Sequence, residues 1–380
     1  MAASSPTCCG SWSPRSVAGS IAATLLASGS YNQSVTSADI KARAAGLGFD
    51  LCGIAPAEAF RELGSFRGWL DRGYAGEMHY LERSAATRED VRAVLPSARS
   101  VICLGTVYNT DRPYSTEVND PGAAAIARYA WGEDYHDVIR QRMNALVDWM
   151  CERCGPELEA RAYVDTGPVQ ERVYAQYAGL GWIGRNTCVI NPDLGSWLFL
   201  SEIICNLPLA PDAPALDQCG TCRLCLDSCP TGAIVEPYVV DATQCLSYLT
   251  IELKGTIPIH QRESLGRHAY GCDICQEVCP WNAQPAGVDD AASPWLPRAA
   301  FDRPSLASLW RTPDADLRAA LKGSAMTRAG VRRLRRNVAV CAGATGDAEA
   351  LTALRDVDEP TCDDPLVAEH VHWALELHDG

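Results

Sequence analysis

CGTCRLCLDSCP, from Cys219 to Pro230, is the stretch on which the fold of this chain turns. Its cysteines, Cys219, Cys222, Cys225 and Cys229, follow the spacing C-x2-C-x2-C-x3-C-P. The short gaps let three thiolates reach three irons of one 4Fe-4S cubane, while the fourth cysteine of such a run points away and ligates a second cluster.

A second run, GCDICQEVCPWN, repeats only the end of that pattern as Cys272-x2-Cys275-x3-Cys279-Pro280. Ala269 stands where its first cysteine is expected, and Cys245 in QCLSY is the free candidate to replace it. The crossing of ligands between the two runs then assigns Cys219, Cys222, Cys225 and Cys279 to one cluster. Cys229, Cys245, Cys272 and Cys275 fall to the other. Zinc also uses C-x-x-C pairs but leaves the additional x2-C and x3-C-P on each side without a purpose. Residues 209–290, dense in Cys, Gly and Pro, are therefore expected to form a bacterial ferredoxin-like two-cluster module organised by its metals. Two such clusters pass single electrons, and on their own they specify electron transfer only.

The whole chain has 380 residues, enough for two to three domains. A formal charge of −14 argues against a protein that coats nucleic acid nonspecifically. No stretch approaches the ~20 apolar residues of a spanning helix, so no membrane association is expected. Of the 18 cysteines, nearly half fall within some sixty residues at metal-ligand spacings, which fits a reduced, cytoplasmic metalloprotein. Residues 1–35 carry only Arg15 as a charge and are rich in Ser, Ala and Gly; a disordered tail or a misassigned start is expected, with no role for Cys8 and Cys9.

Upstream of the cysteine module, residues 36–208 alternate between strand and helix patterns, which implies an α/β domain with its site at the strand ends. Ser100–Tyr108, Arg161–Gly167, Thr187–Ile190 and Trp197–Cys205 read as strands. The helix from Asp137 puts Val138, Ile139, Met143, Leu146, Val147 and Met150 on one face, and a second helix is expected to open at Pro168. Residues 291–380 are helical in pattern and look like one repeat pair of the HEAT kind.

Asp165, in YVDTGPVQER, lies at the carboxyl end of a predicted strand, where a semi-buried carboxyl with a raised pKa serves as a general acid. A helix-capping or turn aspartate is the competing reading. RYAWGEDYH, Arg128–His136, suggests a binding loop, although Asp134 and His136 equally suit capping roles. Cys103, Cys188 and Cys205 sit in apolar strands as small buried hydrophobes. No glycine-rich dinucleotide fingerprint or Walker-type loop is present. The corrinoid-ligating D-x-H-x-x-G is also missing, since DYHDVI has Ile139 in place of glycine.

RYAWGEDYH, VDTGPVQER, GLGWIGRNT, CGTCRLCLDSCPTGAI, QCLSYLTIE and YGCDICQEVCPWN occur in that order, and together they resemble the epoxyqueuosine reductases, bacterial tRNA-modifying enzymes. The resemblance runs from about residue 38 to about 345. It implies a cobalamin bound base-off in the N-terminal domain and reduced through the two clusters, and reduction of epoxyqueuosine to queuosine at the tRNA wobble position. It further implies Asp165 as proton donor, and cobalamin contacts from Arg88, Asp165, Val189, Leu200, Ser247 and Asp273. An external low-potential donor of the flavodoxin or ferredoxin type, a monomeric state and a tRNA partner are expected with it. Arg185 stands where lysine is frequent in the family, a change that keeps the charge.

From Gly323 to Gly346 the chain has no acid, and Arg328, Arg332, Arg333, Arg335 and Arg336 cluster there. Against the negative background these read as a phosphate-contacting patch. Two other functions fit the bare motifs. One is a corrinoid iron–sulfur reductive dehalogenase, although the N-terminus lacks a twin arginine. The other is a non-enzymatic two-cluster electron carrier.

Overall fold

The computed structural model describes residues 35–283, 292–356 and 364–379. The expected N-terminal tail, with Cys8, Cys9 and Arg15, lies outside the described residues.

A four-stranded sheet is the frame of the first half. Its strands β1 (Leu51–Pro56), β2 (Ser100–Val107), β3 (Ala160–Tyr163) and β4 (Leu198–Cys205) lie in the order β1-β2-β4-β3. Every neighbouring pair is antiparallel. The alternation of strands and helices thus occurs as expected, but in an antiparallel sheet, not the parallel one that α/β alternation usually builds. The central strand β2 is buried at all eight positions because helices cover both faces, so it reads as an unbroken apolar run. The predicted strand at Thr187–Ile190 shrinks to Val189–Ile190. It pairs with Trp182–Ile183 in a separate small hairpin outside the main sheet.

On one face lies α1 (Tyr135–Cys154), started by Asp134, whose carboxylate accepts the His136 N–H. Its buried residues Ile139, Met143, Leu146 and Met150 recur at helical spacing and join Ile102, Leu104, Phe199 and Ile203 in one core. On the other face lies α2 (Glu171–Tyr177), where Val173 and Tyr174 pack with Val101, Cys103, Val189 and Ile204. This helix opens at Glu171, not at Pro168. The intervening residues form an irregular loop that carries Asp165.

Beyond the sheet, short helical turns at Leu224–Asp227 and Ile274–Glu277 follow the paired cysteines and pack against each other. The C-terminal helices are α3 (Leu306–Arg311), α4 (Asp314–Leu321), α5 (Gly330–Thr345), α6 (Ala348–Arg355) and α7 (Pro365–Glu376). One continuous buried cluster runs from Ile40 through Tyr248 and Tyr270 to Leu354, so these regions share a core. The stretch from Tyr248 to Tyr270 contributes real apolar packing as well as cysteines.

The arginine cluster on α5 departs from the phosphate-patch expectation. Arg335 and Arg336 are buried. Arg335 donates to the carbonyls of Leu309, Trp310 and Thr312. Arg336 donates to those of Leu249, Leu253 and Gly255, at 2.6, 2.8 and 2.6 Å. Arg333 reaches the Ile251 carbonyl at 2.5 Å. Only Arg328 and Arg332 are exposed, and each pairs with an acid, Glu252 and Asp364 respectively. These guanidiniums are spent mainly on backbone carbonyls that would otherwise be orphaned in the interior.

Candidate functional site

Cys219, Cys222, Cys225 and Cys279 line one cavity of about 40 Å³, together with Arg185, Ile190, Leu224 and Trp281. Cys229, Cys245, Cys272 and Cys275 form a second group, each within electrostatic range of another member. Among the described residues no three His, Cys, Asp or Glu side chains converge as a single bound ion requires. Thiols set around a void suit a polynuclear cluster better than one zinc, whose four sulfurs stand ~2.3 Å from a common point.

The surroundings of the thiols add two donors and one further thiol. Trp182 Nε1 donates to Cys219 Sγ at 3.4 Å, and Asn186 Nδ2 donates to the Cys275 carbonyl at 2.9 Å. Cys188, expected only as a small hydrophobe, hydrogen-bonds with the Cys275 thiol. Its position before the Val189–Ile190 strand gave no sign of this.

Asp165 lies two residues beyond β3, in a left-handed backbone conformation with φ of 56°. That region is open to aspartate at some cost and is a place where functional sites hold strain. Gly167 keeps the loop against the sheet, since a Cβ there would come 2.4 Å from the Tyr163 ring. The Asp165 backbone N–H donates to Glu171 Oε1 at 2.6 Å. The side chain sits deep in the molecule yet is 53% exposed, so it faces an open hollow.

Two residues of the RYAWGEDYH loop close on that carboxylate. The Tyr135 hydroxyl donates to Asp165 Oδ2 at 3.0 Å, and His136 Nε2 stands 3.4 Å from the same oxygen. The other His136 nitrogen, Nδ1, is 2.7 Å from Asp134 Oδ1. Burial opposes a charge on His136, but its two carboxylate neighbours prevail and raise its pKa to about 9. Burial likewise raises Asp165, yet His136 and Tyr135 outweigh it and hold the carboxyl below its ordinary value. The proton expected on a neutral Asp165 therefore resides on His136 in this arrangement.

Behind them, Glu202 on β4 is fully buried beside Glu171, between Cys103 of β2 and Tyr163 of β3. Burial and the neighbouring Asp165 push Glu171 up to about 8, and burial raises Glu202 well above its ordinary value.

The other residues expected around a corrinoid are only partly gathered. Arg88 faces both Asp165 and Glu171, and its Nη1 donates to the Val169 carbonyl at 2.7 Å. Val189 and Leu200 pack in the apolar cluster under α2, with Leu200 partly open. Ser247 Oγ reaches the Cys272 carbonyl at 3.5 Å, beside the second thiol group. Asp273 accepts the Arg128 N–H at 2.7 Å and lines a different cavity of about 450 Å³, with Trp131, Arg267 and Phe301, whose walls do not include Asp165. A half-open carboxylate beside Arg88, with Tyr135 and His136 as polar neighbours, suits the amide rim of a corrinoid.

Residues 88–166 match the family model described as epoxyqueuosine reductase QueG, DUF1730. Residues 218–282 match the 4Fe-4S double cluster binding domain. The epoxyqueuosine reductase of Gloeobacter violaceus is 43% identical over 83% of this chain and 98% of that protein. That of Escherichia coli K12 is 38% identical over 87% of this chain and 86% of its own length. A crystal structure of epoxyqueuosine reductase with a tRNA-Tyr epoxyqueuosine-modified stem loop superposes with a TM-score of 0.80 at 29% identity, covering 90% of this chain and 89% of that one. The Streptococcus thermophilus enzyme gives 0.78 at 27% identity, covering 89% of each chain. Identity of this extent, spanning the site loops and both cysteine runs, shows that the chain belongs to the epoxyqueuosine reductase family.

Proposed function

We propose that this protein reduces epoxyqueuosine to queuosine at the wobble position of tRNA, with Asp165 delivering a proton to the departing epoxide oxygen. The observation that carries this reading is the carboxylate itself: strained, open to a hollow, and held between Tyr135 and His136. Opening the epoxide to an alkene releases its oxygen as water and consumes two electrons and two protons. Charge builds on the departing oxygen, so a positioned acid lowers the barrier. The His136 proton, 3.4 Å from Asp165 Oδ2, recharges the carboxylate between donations.

Cobalamin, when bound, supplies the low-potential electrons at the substrate carbon; Arg88, Asp165, Val189, Leu200, Ser247 and Asp273 would hold it. Cys219, Cys222, Cys225 and Cys279 would hold one 4Fe-4S cluster and Cys229, Cys245, Cys272 and Cys275 the other, and the pair would supply single electrons from an external flavodoxin- or ferredoxin-type donor. We read the chain as a cytoplasmic monomer; no helix among the described residues is long and apolar enough to cross a membrane. The helices from 306 to 376 serve as a HEAT-like segment that braces the cluster module and borders the tRNA. A reductive dehalogenase or a plain electron carrier has no comparable support, since the extended identities are to epoxyqueuosine reductases.

Asp165→Asn keeps the left-handed turn and removes the acid. Loaded with clusters and cobalamin, this variant is expected to bind an epoxyqueuosine-bearing stem loop normally and to lose about 10²–10⁴-fold in turnover. Wild-type turnover would remove Asp165 from the chemistry.

A further inference from the structure

Two protons are consumed per turnover, and Asp165 is flanked by two proton-bearing groups, not one. His136 is the first. The second stands on the opposite side, where Glu171 Oε1 takes the Asp165 backbone N–H at 2.6 Å. Glu171 is in turn backed by Glu202, fully buried on an interior strand of the main sheet.

Neither oxygen of Glu202 accepts a hydrogen bond from any ordinary donor among the described residues. An ionised carboxylate so placed has lost its water and gained nothing, so the group stays protonated. Its neighbour is the Glu171 carboxyl, and two carboxyls that share one buried site cannot both ionise, so the pair keeps a proton.

We propose that the Glu171–Glu202 carboxyl pair supplies the second proton of each turnover to Asp165. Glu171 gives its proton to the Asp165 carboxylate: the Glu171 O–H bond breaks and an Asp165 O–H bond forms. The anion left on Glu171 is held by the Glu202 O–H and by Arg88 and Arg172, which both face it. Glu171 is only partly buried and takes its replacement proton from solvent. The remaining titratable neighbours are Tyr135 and Asp165 at Glu171, and Cys103 at Glu202. Tyr135 and Cys103 are neutral there; burial first and then the Asp165 carboxylate disfavour a negative charge on Glu171, raising it to about 8.

This inference rests on Asp165 as the donor, and its test separates the two. Turnover of an epoxyqueuosine-bearing stem loop is followed against pH in cluster- and cobalamin-loaded enzyme with a chemical reductant. The wild-type rate is expected to fall as pH rises through about 8, as Glu171 loses its proton. Glu171→Gln keeps an oxygen for the Asp165 N–H but carries no acid. It is expected to turn over about tenfold more slowly at pH 7 and to lose that limb. Glu202→Leu removes the donor to the Glu171 anion, which moves the limb to higher pH, and Glu202→Gln, whose amide still donates, moves it less. Infrared spectra at pH 7, with or without cofactors, should show protonated-carboxyl absorption with two components, one lost in Glu202→Leu and the other in Glu171→Gln. Wild-type turnover with an unmoved limb in folded Glu171→Gln, or absence of that absorption, overturns the proposal. A fully active Asp165→Asn enzyme would refute the donor reading and the relay with it, whereas wild-type behaviour of Glu171→Gln beside an inactive Asp165→Asn would refute the relay alone.

Discussion

His136 keeps its proton because Asp134 and Asp165 flank it, and that proton links the site to stability. Its pKa is about 9 in the folded chain against 6.5 for a free histidine, so the contribution is fully present below pH 6.5 and is lost as pH rises through 9. The shift corresponds to at most about 3 kcal/mol, reduced because the Asp165 carboxylate is half open to solvent. His136→Gln should therefore melt well below wild type at pH 6, and the gap should close near pH 10. Gly167 gives a second test. A methyl group at that position collides with the Tyr163 ring and displaces the Asp165 turn, so Gly167→Ala should cut turnover tenfold or more while cluster content stays unchanged. The place of Asp165 after a strand and before a helix was legible in the sequence, but position alone suited a turn or cap aspartate as well, and its donor role is what the family resemblance implies. Glu202 was not legible. Within WLFLSEIIC a single acid reads as the solvent face of a half-buried strand, and only the helix α2 over that face shows it to be interior.

At the scale of elements, α5 holds the segment that carries Cys245. Cys245 and Ser247 are followed by a π-helical turn, Tyr248–Glu252, whose carbonyls lack the partners of an α-helix. Arg333 and Arg336 donate to the carbonyls of Leu249, Ile251, Leu253 and Gly255, and Asn337 Nδ2 donates to those of Thr250 and Ala269. A run of arginines without acids looks the same in sequence whether it meets phosphate or buried carbonyls, which is why the basic-patch reading failed. Val331, Leu334 and Val338 recur at helical spacing and are buried, and Arg335 and Arg336 are buried with them. Arg336→Glu would put a carboxylate among carbonyl oxygens, at a cost of roughly 4 kcal/mol or more. We expect a large drop in melting temperature and loss of the cluster that uses Cys245. Arg332→Glu, an exposed change beside Asp364, should alter stability by less than about 1 kcal/mol.

Across the whole molecule, each cysteine run contributes to both thiol groups, and this crossing ties distant parts of the chain together. Cys279 comes from the second run but lines the cavity of Cys219, Cys222 and Cys225; Cys229 comes from the first and lies near Cys245. The spacing alone predicted the crossing, because x3-C-P turns the last cysteine of a run away from its neighbours. The helical packing that gives Cys245 its fixed place was not legible, since it depends on contacts from residues more than eighty positions away. The crossing has a measurable consequence that a segregated arrangement lacks. Were each run to hold its own cluster, Cys225→Ala and Cys229→Ala would remove the same one. With crossed ligands, Cys225→Ala and Cys279→Ala should both remove the cluster bordered by Trp182, while Cys229→Ala and Cys245→Ala remove the other. Each variant should retain about four irons per chain in place of about eight. Electron paramagnetic resonance of the reduced proteins should then sort the four variants into two spectral pairs, 225 with 279 and 229 with 245. Pairing of 225 with 229 would show that the runs are segregated.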